Sequence, residues 1–324
     1  MGRRRLAHRL EHHVRPDRQR PRNPPVITLR HHVLTIVAVF LALAAGIVLG
    51  GGPLSDVGPG VVATGTATDE SAAPVEAQAG AAYNDAALSA LAPTLVSGRL
   101  AERSVALVTV PGADEQDVTA LTDAISAAGG TVSARYSLGD DLVDPGQKSL
   151  VDTLGSQLLT QQGGDAVAAD ASTYDRIGQL IGLAVATKEV EGQDATGRSR
   201  AVLDAVTGAG LMEQPADPGR RAPLVLLVLG TDAADEGADA VLAGIAEGLA
   251  AQATGVVVAG TVADGGPGQL GRLRADPAAA VVASVDGIDT SAGRVAAILA
   301  LQRSLTTPGG AFGASGADGT VPLG

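Results

Sequence analysis

Asp286, Asp289, Thr290 and Arg294 bring two carboxylates, a hydroxyl and a guanidinium together in the stretch Val285-Asp286-Gly287-Ile288-Asp289-Thr290-Ser291-Ala292-Gly293-Arg294. An apolar run of strand length, Ala279 to Val285, ends there, and a helical pattern, Ser291 to Leu305, begins. Open α/β sheets bind ligands at the ends of their strands, so these four residues are a candidate ligand or partner edge. The same residues have a structural use. Asp289 or Thr290 would N-cap the helix, and Arg294 would reach back toward an acid.

The other reactive groups are sparse. Gly266-Pro267-Gly268-Gln269-Leu270-Gly271 spells G-x-G-x-x-G. A dinucleotide site needs that loop directly after the first strand, whereas here it follows a late one, and Asp264 at its mouth would repel phosphate. Carboxylates are paired at Asp140-Asp141 and grouped at Asp232, Asp235 and Glu236, the pattern of solvated faces and caps as much as of an acid/base pair. The chain has no Cys, and its five histidines (His8, His12, His13, His31, His32) all precede residue 33. The rest of the chain therefore cannot build a Ser-His-Asp triad, a Cys-His pair or a His-rich zinc site. Neither catalysis nor a bound cofactor is expected.

The elements that must position these groups follow from hydrophobic period. Val105 to Val110 reads as a buried strand, Asp114 to Ala128 as a helix closed by Gly129-Gly130, and Thr131 to Leu138 as a second strand. Strand, helix and strand in that compass make a βαβ unit with parallel strands. Helical patterns follow over Pro145 to Thr160, Thr173 to Val190 and Arg198 to Gly208. The first pattern then returns as strand Pro223 to Gly230, helix Gly237 to Ala251, strand Thr254 to Thr261 and strand Ala279 to Val285. The fold class is α/β: a Rossmann-like parallel sheet of five strands, covered by helices on both faces, with a helical insert over about 145–210. Ala81 to Ala101 suggests a helix broken near Pro93, residues 51–80 a flexible linker, and 309–324 a disordered glycine-rich tail.

Upstream lies VLTIVAVFLALAAGIVLG, Val33 to Gly50, with no charge. At 1.5 Å per residue it would run about 27 Å, close to a bilayer's hydrocarbon core. Residues 1–32 carry nine Arg against Glu11 and Asp17, a formal +7; after residue 32, fourteen Lys or Arg face thirty-three acids, a formal −19. The positive-inside rule then keeps a basic, disordered tail (1–32) in the cytoplasm, spans the membrane with 33–50, and exports the α/β domain (81–308) to the cell envelope. Membrane lipid is the partner of 33–50, and Gly46 and Gly50 have the spacing of a helix-packing face. A cleavable signal peptide with Ala42-Leu43-Ala44 as its site is the rival reading, and Val26 is an alternative start of translation. The acidic exported part excludes nucleic acid as a partner. Two Phe, three Tyr and no Trp do not supply the aromatic girdles of a membrane β-barrel.

Several of these stretches together resemble a family. Ile27-Thr28-Leu29-Arg30-His31-His32 leading into the apolar segment, Leu95-Val96-Ser97-Gly98-Arg99-Leu100, VALVTVPGAD (Val105 to Asp114) and VDGIDTSAGRVAAILAL (Val285 to Leu301) are similar to the mycobacterial copper transport protein B (MctB) family of actinobacterial envelope proteins. The resemblance implies a single-pass envelope protein of copper homeostasis, related to channel-forming transporters and working as a homo-oligomer or with an envelope transport partner. Copper enters through this resemblance alone. Cu(I) prefers thiolate and thioether ligands, and after residue 32 the chain offers no Cys, no His and one Met, Met212. The competing expectation is a membrane-anchored interaction or scaffold module that binds an envelope partner and no metal.

Overall fold

The computed structural model describes residues 72–323 apart from 214, 216 and 217. The expected cytoplasmic tail (1–32), membrane segment (33–50) and most of the linker lie outside the described residues. None of the described helices is long and apolar enough to cross a membrane.

Helix α1 (Ala72–Val96) opens the described chain. It takes in the end of the expected linker and does not break at Pro93. Residues 72–80 are rich in Ala, with Glu and Gln, all strong helix formers. Pro93 lies in the last turn and forgoes one bond, its own to the carbonyl four residues before it, while buried Val96 holds the end down. β1 (Ser104–Thr109), α2 (Glu115–Ala127) and β2 (Thr131–Leu138) follow as the expected βαβ unit, with β1 and β2 parallel.

The insert comprises α3 (Asp140–Val143), α4 (Lys148–Leu158), α5 (Thr173–Val185), the two-residue β3 (Gln193–Asp194), α6 (Gly197–Gly208) and the two-residue β4 (Met212–Glu213). It is an integral layer of the fold, because Ile177 to Val185 of α5 are all buried. That helix stops five residues before the expected Val190. The chain leaves it at Ala186, where Ala222 N–H donates to the Val185 carbonyl and Thr187 N–H to the Ala222 carbonyl. After β5 (Arg220–Arg221) come β6 (Leu224–Val228), α7 (Glu236–Gln252), β7 (Gly255–Gly260), α8 (Gln269–Ala275), β8 (Ala283–Asp286), α9 (Ser291–Ser304) and β9 (Ala311–Gly313). β8 starts later than expected, because Asp276 caps Ala278 N–H and Pro277 sets the first turn of a 3-10 helix over Pro277–Val281.

Among the described residues the main sheet has seven strands, not five, in the order β4-β2-β1-β6-β7-β8-β9, and only β4 runs antiparallel to its neighbour. β9 corrects the expected disordered tail: Ser284, Val285 and Asp286 pair in parallel with Ala311, Phe312 and Gly313. β1, β6, β7 and β8 are buried at every position. Their side chains alternate between two cores, Val225 and Leu227 facing α5 and α7 while Leu224, Leu226 and Val228 face α2 and α9.

α5 and α7 meet through glycines, Gly178 and Gly182 on one and Gly244 and Gly248 on the other. A Cβ built on Gly178 would stand 2.6 Å from the Ile245 carbonyl oxygen, and one on Gly248 would overlap the Asp175 carbonyl. Both helices thus approach backbone to backbone. Windings to either side of the sheet diverge between β1 and β6, the topological switch point of this order.

Candidate functional site

The loops after β1 and β6 are laced together at the switch point. Val110 N–H donates to the Val228 carbonyl at 2.9 Å, and Thr231 N–H to the Pro111 carbonyl at 3.0 Å. Gly112, at φ +81°, and Gly230 permit this approach; a Cβ on Gly112 would overlap Thr231 Oγ1, and one on Gly230 the Pro111 carbonyl. Beside the lacing lies a cavity of about 270 Å³, walled by Gly112, Asp140, Thr231, Leu242 and Gln269. It shares Asp140, Val143, Ala233 and Ala238 with an outer basin of about 570 Å³ that also contains Asp144 and Asp235. Gln269, at the start of α8, is 2% exposed, and its Oε1 has no hydrogen-bond partner.

The electrostatics of this lip are acidic throughout. Asp114 caps α2 through Gln116 N–H (2.7 Å), and Asp235 caps α7 through Ala238 N–H (3.0 Å). Helix N-termini that could cradle a phosphate are therefore already occupied by carboxylates. Arg272 is taken up by acids as well: its Nε donates to Asp239 Oδ2 at 2.6 Å and its Nη2 to Asp232 Oδ1 at 2.7 Å. The Arg272 guanidinium holds the Asp232 carboxyl below the usual range, and its hydrogen bonds to Asp239 and Asp232 raise Arg272 further above its own. Asp140 is exposed and has no ion-pair partner among the described residues. Ala234, in the β6–α7 loop between these acids, sits at φ +51°, an uncommon conformation for a residue with a side chain.

The four residues singled out by sequence lie at the far side of this edge, and each has a structural task. Thr290 is the cap: its Oγ1 accepts from Gly293 N–H at 3.1 Å and donates to the Gly287 carbonyl at 2.7 Å. Asp289 instead accepts from Val262 N–H at 2.8 Å, tying the loop after β7 to the loop after β8. Asp286 is buried, pairs with Arg274 and accepts from Ser315 N–H at 2.8 Å. Arg294 does not reach an acid. Its Nη1 donates to the Ile288 carbonyl (2.9 Å) and its Nη2 to Ser291 Oγ (3.2 Å), so it closes its own helix start. The G-x-G-x-x-G stretch is a packed turn in which a Cβ on Gly271 would overlap the Gly266 carbonyl.

Among the described residues no group of three or more His, Asp or Glu side chains is placed to hold a metal ion. Met212 lies in the two-residue β4, is 2% exposed, and is part of the core. Sequence reasoning missed Gln269. Its one visible signal was its position as the first residue of a helix following a βα loop.

Comparison with known proteins adds the decisive observation. The family described as "Copper transport outer membrane protein, MctB" matches residues 26–322. The chain belongs to this family. Over 296 residues it is 28% identical to the proteins named Copper transporter MctB of Mycobacterium tuberculosis and Mycobacterium bovis, covering 85% of this chain and 92% of each relative. The Mycobacterium leprae protein of the same name is 26% identical over 310 residues, which cover 87% of this chain and 94% of that one. The MctB match takes in the apolar segment 33–50, the sheet and β9.

Proposed function

We propose that this chain is an envelope protein of copper homeostasis, anchored by residues 33–50 with its N-terminus cytoplasmic and its α/β body exported. The observation that carries this reading is the family match over 26–322, which spans the apolar segment and the α/β body alike. Relatives of similar length bear the name Copper transporter MctB, which supports a copper role. The body itself performs no catalysis and is not the copper ligand. Beyond residue 32 there is no thiol and no imidazole, and the one thioether, Met212, is in the core. Its acids and amides are hard oxygen donors, better matched to hard cations than to Cu(I). The metal is therefore handled by an assembly in which this chain is one part.

A deletion strain tests the role: cell copper rises and copper tolerance falls. Unchanged copper content and tolerance would remove the reading. Titration of the full chain with Cu(I), alone and as Met212→Ala, separates direct binding from a partner's. The expected result is no difference between the two proteins, any binding being confined to the histidines before residue 33.

One observation favours an accompanying role as an interaction module. Val75, Tyr83, Leu91 and Leu95, all on α1, are large apolar side chains left exposed. The occupant we infer is a second copy of the chain, because this helix carries no basic residue and its acids are only Glu76 and Asp85, the latter already engaged in the fold. Crosslinking through Cys introduced at Tyr83 gives homodimers on that reading. Crosslinks to another protein alone would make the module a scaffold for a different partner.

A further inference from the structure

We propose that the crevice at the β1/β6 switch point binds a small organic dication, a linear alkyl diamine, with one ammonium against Asp140 and Gln269 and the other against Asp144 and Asp235. This is independent of any copper role. The inner cavity and outer basin adjoin, with Asp140, Val143, Ala233 and Ala238 lining both. Carboxylates stand in both: Asp140 in the wall common to the two, and Asp144 and Asp235 in the outer basin. Asp144 and Asp235 each spend one oxygen on a backbone N–H, from Gly146 (2.8 Å) and Ala238 (3.0 Å), which leaves the second oxygen available as an acceptor.

Gln269 makes the inner part more than an acidic patch. It is almost wholly buried in the cavity wall, and its Oε1 is without a partner, a state that buried amides in folded proteins rarely keep. As placed, Oε1 is closed to solvent; half a turn of the carboxamide exchanges Oε1 and Nε2, and that turn is what lets the group present an acceptor to an ammonium N–H.

The walls between the acids decide the class of cation. Val143, Ala233, Ala238 and Leu242 are apolar and suit a methylene stem. A dehydrated divalent ion needs six or more oxygen ligands at close range, and no three carboxylates converge among the described residues. Anions are excluded by the same acids that cap α2 and α7. The strained Ala234 belongs to the loop that rims both spaces, a conformation that surrounding structure must hold in place.

The full-length protein in detergent at low ionic strength is titrated calorimetrically with 1,4-diaminobutane, butylamine, magnesium chloride and inorganic phosphate. The diamine saturates one site, and butylamine binds at least tenfold more weakly. Gln269→Leu and Asp140→Asn each weaken the diamine at least fivefold, while Glu213→Gln, at the sheet's edge strand, leaves it unchanged. Asp140 is exposed, so its variant folds even where Gln269→Leu does not, and thermal melting of each variant confirms this. Diamine binding that survives both substitutions is diffuse attraction to an acidic surface and overturns the proposal. So does saturation by magnesium or phosphate in place of the diamine.

Discussion

Arg274 Nη2 donates to Asp286 Oδ1 at 2.8 Å, and the two side chains are 13% and 0% exposed. The guanidinium also donates to Ser284 Oγ (2.8 Å), Ser315 Oγ (3.0 Å) and the Phe312 carbonyl (2.6 Å). One buried cation thus ties α8, β8 and the C-terminal strand β9 together. Glycine-rich residues 309–316 are ordered through this pair, with little apolar burial of their own beyond Phe312.

Removing one partner of such a pair leaves the other charge buried and unpaired, at a cost of about 3–5 kcal/mol. Arg274→Met and Asp286→Ala should each lower the unfolding free energy read from urea melts by that order and expose β9 to proteolysis. The double variant should lose less than the two single losses added, because no lone charge remains. Additive losses would mean that the two side chains act separately.

Most of this architecture was legible in sequence, and the failures have physical causes. β1, β6 and β7 are runs of β-branched and leucine residues bounded by Pro or Gly, and their ends lie within a residue or two of those expected. β9 has no such run. It pairs with β8 and is held by Arg274, distant in sequence, which donates to the Phe312 carbonyl. α1 was legible from Ala81 onward; its first turns, 72–80, read as linker because Pro74 and Gly80 stand among their Ala residues. At the candidate site, a cap at Asp289 or Thr290 followed from residue type, but the choice between them, the burial of Gln269 and the lacing of Gly112 to Thr231 depend on tertiary neighbours, and strand order was not legible.

Glycine pairing across α5 and α7 supplies a second test. In an isolated helix Gly→Ala gains about 1 kcal/mol. At Gly248 the new methyl would overlap backbone of the facing helix, and overpacking of this kind costs about 1–3 kcal/mol or more. Gly248→Ala should therefore destabilise. Gly208→Ala, at a helix end with nothing within 4 Å, should be neutral or stabilising. Thermal melts of the two variants shifting in the same direction would contradict this packing.

Tyr136 is 1% exposed, and its hydroxyl is buried without a partner. Burial pushes its pKa up to about 12, because the phenolate would be desolvated. A raised pKa on an acid favours the neutral form in the folded state. Its share of stability is complete below the ordinary value of 10.0 and is lost as pH rises toward about 12. Tyr136→Phe removes an unsatisfied group, so it should stabilise at neutral pH by about 1 kcal/mol and flatten the alkaline loss. Denaturant melts at pH 8 and pH 11 read both effects.

The Arg272 clamp acts at the opposite end of the pH scale. Asp232 is held below its ordinary 3.8, first by the hydrogen bond from Arg272. A depressed carboxyl contributes stability that is present above its unfolded value and disappears as pH falls through the folded one. Stability should hold down to about pH 4 and then decline. In Asp232→Asn the decline below pH 4 should be shallower, with a loss at pH 7 of about 1 kcal/mol or less, because the pair is partly exposed. An unchanged acid limb in that variant would assign the decline to other carboxylates.

α1 is held to the body by a contact spanning 206 residues: Ser291 N–H, in the first turn of α9, donates to Asp85 Oδ1 at 2.6 Å. A carboxylate there satisfies an N–H that the helix leaves free and meets the positive end of its dipole. Residues 75–84 of α1 are exposed, while beyond Asp85 the helix packs through Ala92 and Val96. Asp85→Ala should therefore loosen α1 and leave the sheet alone. With about 1.4 kcal/mol lost, amide exchange in the last three turns of α1 should speed about tenfold, while β1, β6 and β7 exchange as before. Equal acceleration in helix and sheet would show that α1 unfolds only with the whole body. Unchanged exchange throughout would leave Ala92 and Val96 as sufficient anchors.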